Sequence, residues 1–316
     1  MTTKKFFKKG LIKINNGFVY IDRLFIAKAI EKIPPPLFIV GVPRSGTTLT
    51  YQMITQQFQV GYFTAIMGYL YGMSNLINRF TRPLLGRTAP LFKSNYGNIK
   101  GILSPSEHAN YWFQWFPSDS DLGHYVKPDK INLQDYESLK RSIESITVIM
   151  QKPMVFKCLY LDMTVGTLAQ IFPDARFIFV RREHFMTCQS ILLGRFKRKN
   201  PEQWWSVKPP HYKSLLSLPI WQQVTKQVFD TEKIILRDLK QYAPERYLEL
   251  HYENICQNPQ QIISDIITWL KPVGYKTYQN MRIPQQFTLS QKISLSETMV
   301  SQITEHLEML KQQELP

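Results

Sequence analysis

The sequence predicts an α/β fold in which a central parallel sheet of about four to five strands lies between two layers of helices. Short runs rich in β-branched and aromatic residues recur along the 316-residue chain, and each is followed by a segment with helical character. This alternation is typical of strand–helix–strand units, whose strands are parallel. The predicted strands are residues 37–42, 154–158, 176–180 and 247–252, and the helices that follow them are residues 47–58, 161–172, 184–194 and 260–270.

The boundaries of these elements follow from local chemistry. The first strand is apolar throughout and runs into a loop at residues 43–46, after which the first helix begins. Pro173 ends the helix after the second strand, and Pro259 stands in the first turn of the helix after the fourth, where proline is tolerated. Ligands of open parallel sheets bind beyond the carboxyl ends of the strands. The loop at 43–46 is therefore expected at a ligand site.

Composition limits the functional classes without choosing one. A hydrophobic content of 44% is ample for a globular core. Lysine and arginine number 39 against 24 acidic residues, a formal net charge of +15. Such an excess suits an anionic ligand, a nucleic acid or a membrane surface, and it is equally consistent with a solvated basic surface.

The cysteines and the apolar segments predict a cytoplasmic protein. Cys158, Cys188 and Cys256 are far apart and form no C-x-x-C pair, so neither a disulfide framework nor a zinc site is indicated. The basic N-terminus lacks the apolar run of a signal peptide. No charged residue lies between Arg44 and Arg79, yet glycines and polar residues interrupt that stretch. We therefore expect buried helices or a substrate channel there, and no membrane span.

The segment from Gly41 to Gly46 has the G-x-x-x-x-G spacing of a phosphate-binding P-loop. Glycines let backbone N–H groups converge on an anion, and the following helix offers its positive end. Thr47 occupies the position of the lysine that reaches the β- and γ-phosphates in nucleoside triphosphatases, and the cation of this loop is Arg44. The loop predicts a phosphate site of the P-loop type without triphosphate chemistry.

A second anion site is predicted at the end of the third strand. Arg182 follows that strand where a Walker-type enzyme carries an acid for magnesium, and Ser190 comes eight residues later on the next helix. A surface salt bridge is the alternative role for Arg182. Anion sites at two strand ends favour a ligand that carries phosphates at two separate positions.

These motifs resemble those of the sulfotransferases that use 3′-phosphoadenosine-5′-phosphosulfate (PAPS). The family's 5′-phosphosulfate loop reads P-[KR]-S-G-T-T, and the matching residues are Pro43, Arg44, Ser45, Gly46, Thr47 and Thr48. Its 3′-phosphate motif has a phrase such as F-P-D-A-R-F-I, then an arginine and, eight residues later, a serine; the matches are Phe172 to Ile178, Arg182 and Ser190. Its Y-E-D…N-P element carries a tyrosine near the adenosine and is matched by Tyr252, Glu253, Asn254, Asn258 and Pro259.

The resemblance implies a PAPS-dependent sulfotransferase of the P-loop-containing fold that needs no metal. The sequence contains no linker that would divide it, so we expect one domain over residues 1–316, with an N-terminal extension at 1–35 and largely helical substrate-side segments at 60–150 and 195–245. The cofactor-binding residues would be Pro43, Arg44, Ser45, Gly46, Thr47, Thr48, Arg182, Ser190 and Tyr252, and Ser290 to Lys292 give a weaker hint of a further contact.

At two positions the sequence differs from the cytosolic members of the family and resembles the bacterial, cyanobacterial-type branch. Cytosolic members have a tryptophan after G-T-T that stacks on adenine, and this chain has Leu49. Their K-x-H strand end supplies a histidine base, whereas here Lys157 is followed by Cys158 and Leu159. In the bacterial branch the base is commonly a glutamate, so the stacking residue and the base must be sought elsewhere in this chain.

The candidate catalytic residues are Arg44, Lys157, Glu107 and His108. Arg44 and Lys157 would neutralise charge on the phosphosulfate, although a lysine at a strand end is also common as a packed, solvent-reaching side chain. Glu107 and His108, in the segment Ser104 to His108, are rival bases for the acceptor. The serines before Glu107 also fit a helix-capping pattern, which would leave neither residue catalytic.

The stretch at residues 51–78 indicates the kind of acceptor. The uncharged, tyrosine- and methionine-containing stretch 51–78 predicts an apolar wall that suits a small specialised metabolite, such as an alkaloid or a lipid-like alcohol. The basic residues Arg195, Lys197, Arg198 and Lys199 would either cover the 3′-phosphate or form a solvated face.

A P-loop small-molecule kinase and a basic nucleic-acid-binding protein are the alternative functions, although the sequence contains no nucleic-acid-binding motif. The oligomeric state is not predicted.

Overall fold

A five-stranded parallel sheet forms the centre of the structure, a computed structural model that describes residues 33–85, 101–280 and 282–313 together with 15, 17, 18, 22–25, 92 and 99. The strands are β1 (Leu37–Val40), β2 (Gly61–Tyr62), β3 (Met154–Lys157), β4 (Arg176–Arg181) and β5 (Tyr247–His251). Their order in the sheet is β2-β3-β1-β4-β5, and all neighbours pair in parallel. The predicted α/β class and parallel sheet are confirmed.

Helices cover both faces of this sheet. The α-helices are α1 (Thr47–Gln57), α2 (Ser74–Thr81), α3 (Ala109–Trp112), α4 (Glu137–Met150), α5 (Val165–Ile171), α6 (His184–Phe196), α7 (Tyr212–Leu215), α8 (Ile220–Tyr242), α9 (Tyr252–Gln257), α10 (Pro259–Leu270) and α11 (Glu297–Gln312). Helix α1 packs against α10, whereas α8 packs against α5, α6 and α11. Crossover connections between parallel strands are right-handed. Connections that lead toward one edge of the sheet therefore lie on one face, and those that lead toward the other edge lie on the opposite face. The result is the predicted three-layer arrangement.

The core is built where the three central strands meet. Phe38 of β1 lies in register with Phe156 of β3 and Phe177 of β4. Its ring centroid is 5.4 Å from that of Phe156 and 5.5 Å from that of Phe177, and all three rings are buried. Aromatic pairs at these distances add to the stabilisation from apolar burial. The strand ends that carry the predicted site therefore project from a rigid, closely packed layer.

Several element boundaries differ from the predictions. Strand β1 ends at Val40, because Gly41 and the following residues leave the extended conformation to form the loop. The helix expected at 161–172 is a 3₁₀ segment, Leu159–Met163, followed by α5. Tyr252, predicted at a strand end, begins α9. Strand β2 was not predicted, because two residues are too short for any periodicity to be visible.

The two segments predicted as largely helical contain other structure as well. In the described part of 60–150, helices α2, α3 and α4 alternate with 3₁₀ turns, loops and β2. In 195–245 the long helix α8 dominates, and residues 197–211 form a non-helical loop. Most of the predicted N-terminal extension at 1–35 lies outside the described residues. Over the part of the chain that the structure covers, no helix is long and apolar enough to cross a bilayer. All three cysteines are free and buried.

Candidate active site

The predicted site residues converge at the carboxyl ends of β1, β3 and β4, three adjacent strands of the sheet. Ile39 of β1 pairs with Lys157 at the end of β3 and with Ile178 of β4. The loop after β1 and the residues after β4 are therefore neighbours in space. This is the edge at which open parallel sheets bind ligands.

The loop after β1 has the backbone conformation of an anion cradle. Arg44 and Gly46 both lie at positive φ, 75° and 102° respectively. Ser45 N–H donates to the Val42 carbonyl at 3.0 Å, which closes the turn. Gly46 precedes α1, whose first turn is not capped by any side chain. The uncapped N–H groups and the positive end of the helix dipole are thus free to face an anion.

Glycine is required at both ends of this loop. A Cβ on Gly46 would lie 2.3 Å from Cδ2 of the Tyr252 ring, and a Cβ on Gly41 would lie 2.4 Å from the Val180 carbonyl oxygen. No side chain fits at such separations. The two glycines let the loop pack directly against the end of β4 and the start of α9.

Asp162 supports the loop from beneath. Its Oδ1 accepts a hydrogen bond from Gly41 N–H at 3.1 Å, and its Oδ2 is buried without a hydrogen-bond partner among the described atoms. Burial raises the pKa of this carboxyl well above its usual value. The buried carboxyl thus holds the loop through its backbone.

Arg44, Ser190, Arg182 and Tyr252 come together as one polar cluster. Arg44 Nε donates to Ser190 Oγ at 3.0 Å, and an Arg182 terminal nitrogen donates to the Arg44 carbonyl at 3.1 Å. The Arg182 guanidinium lies over the Tyr252 ring, 4.6 Å from its centroid, and burial raises the pKa of Tyr252 to about 12. Arg182 Nε is buried with no hydrogen-bond partner in the described structure. Two guanidinium groups and a hydroxyl are therefore linked in one hydrogen-bonded cluster.

Among the described residues, Arg182 forms no salt bridge, the alternative role considered for it. Its other terminal nitrogen donates to the Ser290 carbonyl at 3.3 Å, so both of these hydrogen bonds go to backbone oxygens. Gln189 Nε2 donates to the Lys292 carbonyl at 2.9 Å. The segment from Ser290 to Lys292 therefore lies at this cluster, and its contact with a cofactor stays a prediction.

Lys157 and Glu107 form an ion pair across the end of β3. Lys157 Nζ contacts Glu107 Oε1, and Leu159 N–H approaches Glu107 Oε2 at 3.4 Å. The Lys157 side chain is 3% exposed, whereas that of Glu107 is 27% exposed. The lysine is therefore a buried cation and not a solvent-reaching strand-end residue. Its carboxylate partner remains accessible from the adjacent cavity.

His108 is adjacent in sequence but differs in environment. It is buried, its Nε2 lies 2.6 Å from the Thr64 carbonyl oxygen, and its Nδ1 is enclosed without a partner among the described atoms. Burial lowers the pKa of His108 to about 4. The imidazole is accordingly neutral, and Nε2 carries the proton because it must donate to the carbonyl. The enclosed Nδ1 is poorly placed to serve as a base.

The capping pattern at Ser104 is not realised. Ser104 Oγ donates to the Gly101 carbonyl at 2.6 Å and to the Ile99 carbonyl at 3.1 Å, so the hydroxyl caps no helix. Backbone pairing fixes the segment instead: Ala65 N–H donates to the Ser104 carbonyl and Ser106 N–H to the Phe63 carbonyl. Glu107 is thereby held at the cavity by a loop that is pinned to the residues after β2.

Two cavities meet at Lys157. One is lined by the loop and the arginine cluster: Pro43, Arg44, Gly46, Thr47, Thr48, Leu49, Lys157, Leu159, Arg182, Trp205, Ser206 and Tyr252. The other has a volume of about 590 Å³ and contains Glu107 and His108. Its remaining lining residues are Thr48, Tyr51, Ala65, Gly68, Tyr69, Ile99, Pro105, Ser106, Lys157, Leu159, Tyr160, Trp205 and Ser206. We call them the loop cavity and the glutamate cavity. Of the predicted loop residues, Ser45 is buried and lines neither cavity.

The sequence did not predict some of the residues at this junction. Trp205 and Ser206 line both cavities, and Tyr160 lines the glutamate cavity. Arg195, the first residue of the basic run, is buried, whereas Lys197, Arg198 and Lys199 are exposed. No local pattern distinguishes these roles, because each depends on contacts with distant parts of the chain. Nowhere in the described ranges do three or more His, Cys, Asp or Glu side chains group as a metal site.

Comparison with known proteins decides the family. A family model described as "Sulfotransferase family" matches residues 35–272, about three-quarters of the chain. The chain belongs to the sulfotransferase family. Membership assigns it to the transferases, and the match spans the loop, the arginine cluster and Tyr252.

Solved sulfotransferases share the fold. Sulfotransferase STF1 from Mycobacterium tuberculosis H37Rv superposes with a TM-score of 0.55 at 15% identity, covering 98% of this chain and 84% of that chain. Sulfotransferase STF9 from Mycobacterium avium gives a TM-score of 0.53 at 15% identity, covering 93% of this chain and 72% of that chain. Identities this low show the fold alone. No curated protein matches the sequence.

Proposed function

We propose that this sulfotransferase transfers a sulfuryl group from PAPS to a hydroxyl or amine of a small metabolite. The observation that carries the proposal is the junction at Lys157, where a cavity with two arginines and an uncapped helix N-terminus meets a cavity that contains a carboxylate. A phosphosulfate donor needs cations, and an acceptor needs a base. The arginines line the cavity on one side of Lys157, and Glu107 lines the cavity on its other side.

The residues of the loop cavity fit PAPS as donor. The 5′-phosphosulfate would lie on the N–H groups at the start of α1 beside Arg44, and the 3′-phosphate beside Arg182 and Ser190. Ser190 itself lines neither cavity and is hydrogen-bonded to Arg44. Arg182 Nε supports this fit, because a buried guanidinium N–H without a partner is costly unless a ligand satisfies it. The Tyr252 ring, packed on Gly46 and under Arg182, would support the nucleoside.

PAPS would supply an activated sulfuryl group whose leaving group is the 5′-phosphate of adenosine 3′,5′-bisphosphate. The residues of this chain would then position it and neutralise charge, which supplies most of the catalysis in comparable phosphoryl transfers. Arg44 and the α1 N-terminus would stabilise charge on the bridging oxygen. Lys157 would hold the sulfuryl oxygens, and Glu107 would accept the proton of the acceptor. His108 is the weaker candidate because its free nitrogen is enclosed.

The glutamate cavity supports a small acceptor with apolar surface. A volume of about 590 Å³ lies within the range of small-molecule sites, ~300–1,000 Å³. Tyr51, Tyr69, Tyr160 and Trp205 supply flat apolar surface on its walls. We propose a compact specialised metabolite, such as an alkaloid or a lipid-like alcohol, and not a long polyanionic glycan. The enzyme would act in the cytoplasm as one unit over 1–316.

Thermal shift with three ligands tests the donor. Adenosine 3′,5′-bisphosphate without magnesium should raise the melting temperature, whereas ATP with magnesium and a single-stranded oligonucleotide should have smaller effects. Stabilisation by ATP with magnesium alone would favour the kinase alternative, and stabilisation by the oligonucleotide alone would favour nucleic-acid binding. Incubation of the enzyme with PAPS and a panel of phenols, alcohols and amines, read by the mass gain of one SO₃ group, then identifies the acceptor.

A further inference from the structure

The loop at residues 197–211 provides a wall that is common to both cavities. Trp205 and Ser206 line the loop cavity and the glutamate cavity alike, and both side chains are half-buried. Ser206 has φ of 73°, which turns the backbone sharply beside the tryptophan. The guanidinium of the exposed Arg198 lies 5.9 Å from the centroid of the Trp205 ring. The indole therefore stands between the junction of the cavities and the solvent-facing part of the loop.

A buried polar clamp holds this loop in place. Arg195 of α6 is 1% exposed; its Nε donates to the Pro201 carbonyl at 2.9 Å, and a terminal nitrogen donates to the Glu202 carbonyl at 3.0 Å. The same nitrogen donates to Gln223 Oε1 at 3.0 Å, which ties the loop to α8. Arg195 thus belongs neither to a solvated face nor to a phosphate cover, the two roles considered from the sequence.

Gln227, one turn after Gln223 on α8, completes the clamp. Its Nε2 donates to both the Trp205 and the Val207 carbonyls at 2.8 Å, and the glutamine is 1% exposed. One buried side chain of α8, that of Gln227, therefore bonds the backbone on either side of Ser206, and a second, Gln223, holds the loop through Arg195. Buried polar groups of this kind are costly to displace, because each lost partner leaves a desolvated group unsatisfied.

We propose that Trp205, fixed by the clamp of Arg195, Gln223 and Gln227, excludes water from the junction and so directs the sulfuryl group to the acceptor and not to hydrolysis. The inference rests on the proposed function, since it requires PAPS in the loop cavity. Of the residues in this proposal, Trp205 is the one that lines both cavities. The three clamp residues are positioning residues that touch neither cavity.

The reaction that Trp205 suppresses is a simple displacement. A water oxygen forms a bond to sulfur, the bond from sulfur to the bridging oxygen breaks, and its electron pair stays on the 5′-phosphate. The proton of the water passes to Glu107 or to solvent. The products are sulfate and adenosine 3′,5′-bisphosphate, so no further reactant is needed. Expulsion of water from a closed site is a recognised way to prevent such side reactions.

Acceptor-free hydrolysis of PAPS tests the inference directly. Release of sulfate is measured for wild type, Trp205→Ala and Gln227→Ala, and each rate is divided by the number of sites titrated with adenosine 3′,5′-bisphosphate. Because only folded sites bind, this quotient is insensitive to a general loss of stability. We expect an increase of about tenfold or more in both variants, the effect of roughly 1.4 kcal/mol on a barrier. The control Trp204→Phe, at a tryptophan that lines neither cavity, removes one hydrogen bond to the Val207 carbonyl, which Gln227 still bonds. Its rate should stay within about twofold of wild type.

Tryptophan fluorescence gives a readout that does not depend on turnover. Binding of adenosine 3′,5′-bisphosphate should change the emission of wild type and of Trp204→Phe, and most of that change should vanish in Trp205→Phe. Unaltered hydrolysis in Trp205→Ala, or a full fluorescence response in Trp205→Phe, would overturn the inference while leaving the proposed function intact. A wild-type enzyme that neither binds the bisphosphate nor consumes PAPS would overturn the proposed function and the inference together.

Discussion

Glu107→Gln is the most informative single substitution in this site. The change keeps the size and shape of the side chain and an oxygen that accepts from Lys157 Nζ, but it removes the negative charge and the basic oxygen. Loss of a general base lowers the rate of the chemical step by about 10²–10⁴-fold. We therefore expect kcat to fall by that factor while the affinity for adenosine 3′,5′-bisphosphate stays within about threefold, because Glu107 lines the glutamate cavity and not the loop cavity.

The same substitution also affects stability, and the structure sets the size of that effect. The Lys157 side chain is 3% exposed and its carboxylate partner 27% exposed. Removal of a partner from a fully buried ion pair costs about 3–5 kcal/mol, but the partial exposure of Glu107 and the retained hydrogen bond reduce this to about 1–2 kcal/mol. Urea unfolding measures that loss separately from kcat.

The assay is steady-state turnover with PAPS and the acceptor identified in the panel, with His108→Gln as the matched rival variant. His108→Gln should retain kcat within about tenfold, because the enclosed imidazole would be replaced by another donor to the Thr64 carbonyl. A kcat for Glu107→Gln that stays within tenfold of wild type, together with a reduced stability, would show that Glu107 only neutralises Lys157. A collapse of kcat in His108→Gln alone would reverse the assignment.

Three further predictions concern the donor site and the pH dependence. Arg182→Ala should weaken adenosine 3′,5′-bisphosphate binding by about 10–100-fold in calorimetry, the loss of ~1.5–3 kcal/mol of charge-assisted hydrogen bonding; an unchanged affinity would place the 3′-phosphate elsewhere. Gly46→Ala, whose Cβ would meet the Tyr252 ring at 2.3 Å, should lower the free energy of unfolding by about 1–3 kcal/mol and abolish bisphosphate binding, and a fully stable, binding variant would contradict the loop geometry. The pKa values of His108 and His124 are lowered by burial to about 4 from 6.5, so the unfolded chain binds more protons between these values and stability must fall as pH drops through that window. Urea unfolding at about pH 7 and about pH 5 should show a loss on the order of 2 kcal/mol per histidine, and a smaller loss in His124→Gln; equal stability at both pH values would contradict the burial of these rings.

Local chemistry explains why the fold could be predicted from the sequence. Strands β1, β3 and β4 are mainly apolar runs and β5 carries alternating apolar residues; helical segments separate them, and the short loop after β1 carries its glycines at fixed spacing. These signals come from residues that are neighbours in sequence. The predicted loop and strand-end residues also converge in space, because parallel strands place their carboxyl ends at one edge. Their roles in PAPS binding stay predictions.

Long-range partners explain what the sequence did not reveal. The support of Gly41 by Asp162 spans 121 residues, and the pairing of Lys157 with Glu107 spans 50. Gln227, on α8, bonds the carbonyl of Trp205 in the loop at residues 197–211, 22 residues earlier in the chain. A single sequence contains no period or spacing that connects such pairs. The departure at Lys157, Cys158 and Leu159 pointed to an acidic base, but only the fold brings Glu107 to that lysine.

The placement of acids separates a sulfuryl-transfer site from a kinase site on the same scaffold. A magnesium-dependent P-loop enzyme needs a carboxylate that faces the phosphates. Asp162, the acid that bonds to the loop backbone among the described residues, is buried. Glu107 lines the glutamate cavity and not the loop cavity. Arg182 directly follows β4. Among the described residues that line the loop cavity, the charged side chains are Arg44, Lys157 and Arg182, and none is an acid. This lining differs from what a magnesium-dependent kinase needs, and it favours the proposed sulfuryl transfer from PAPS over the kinase alternative.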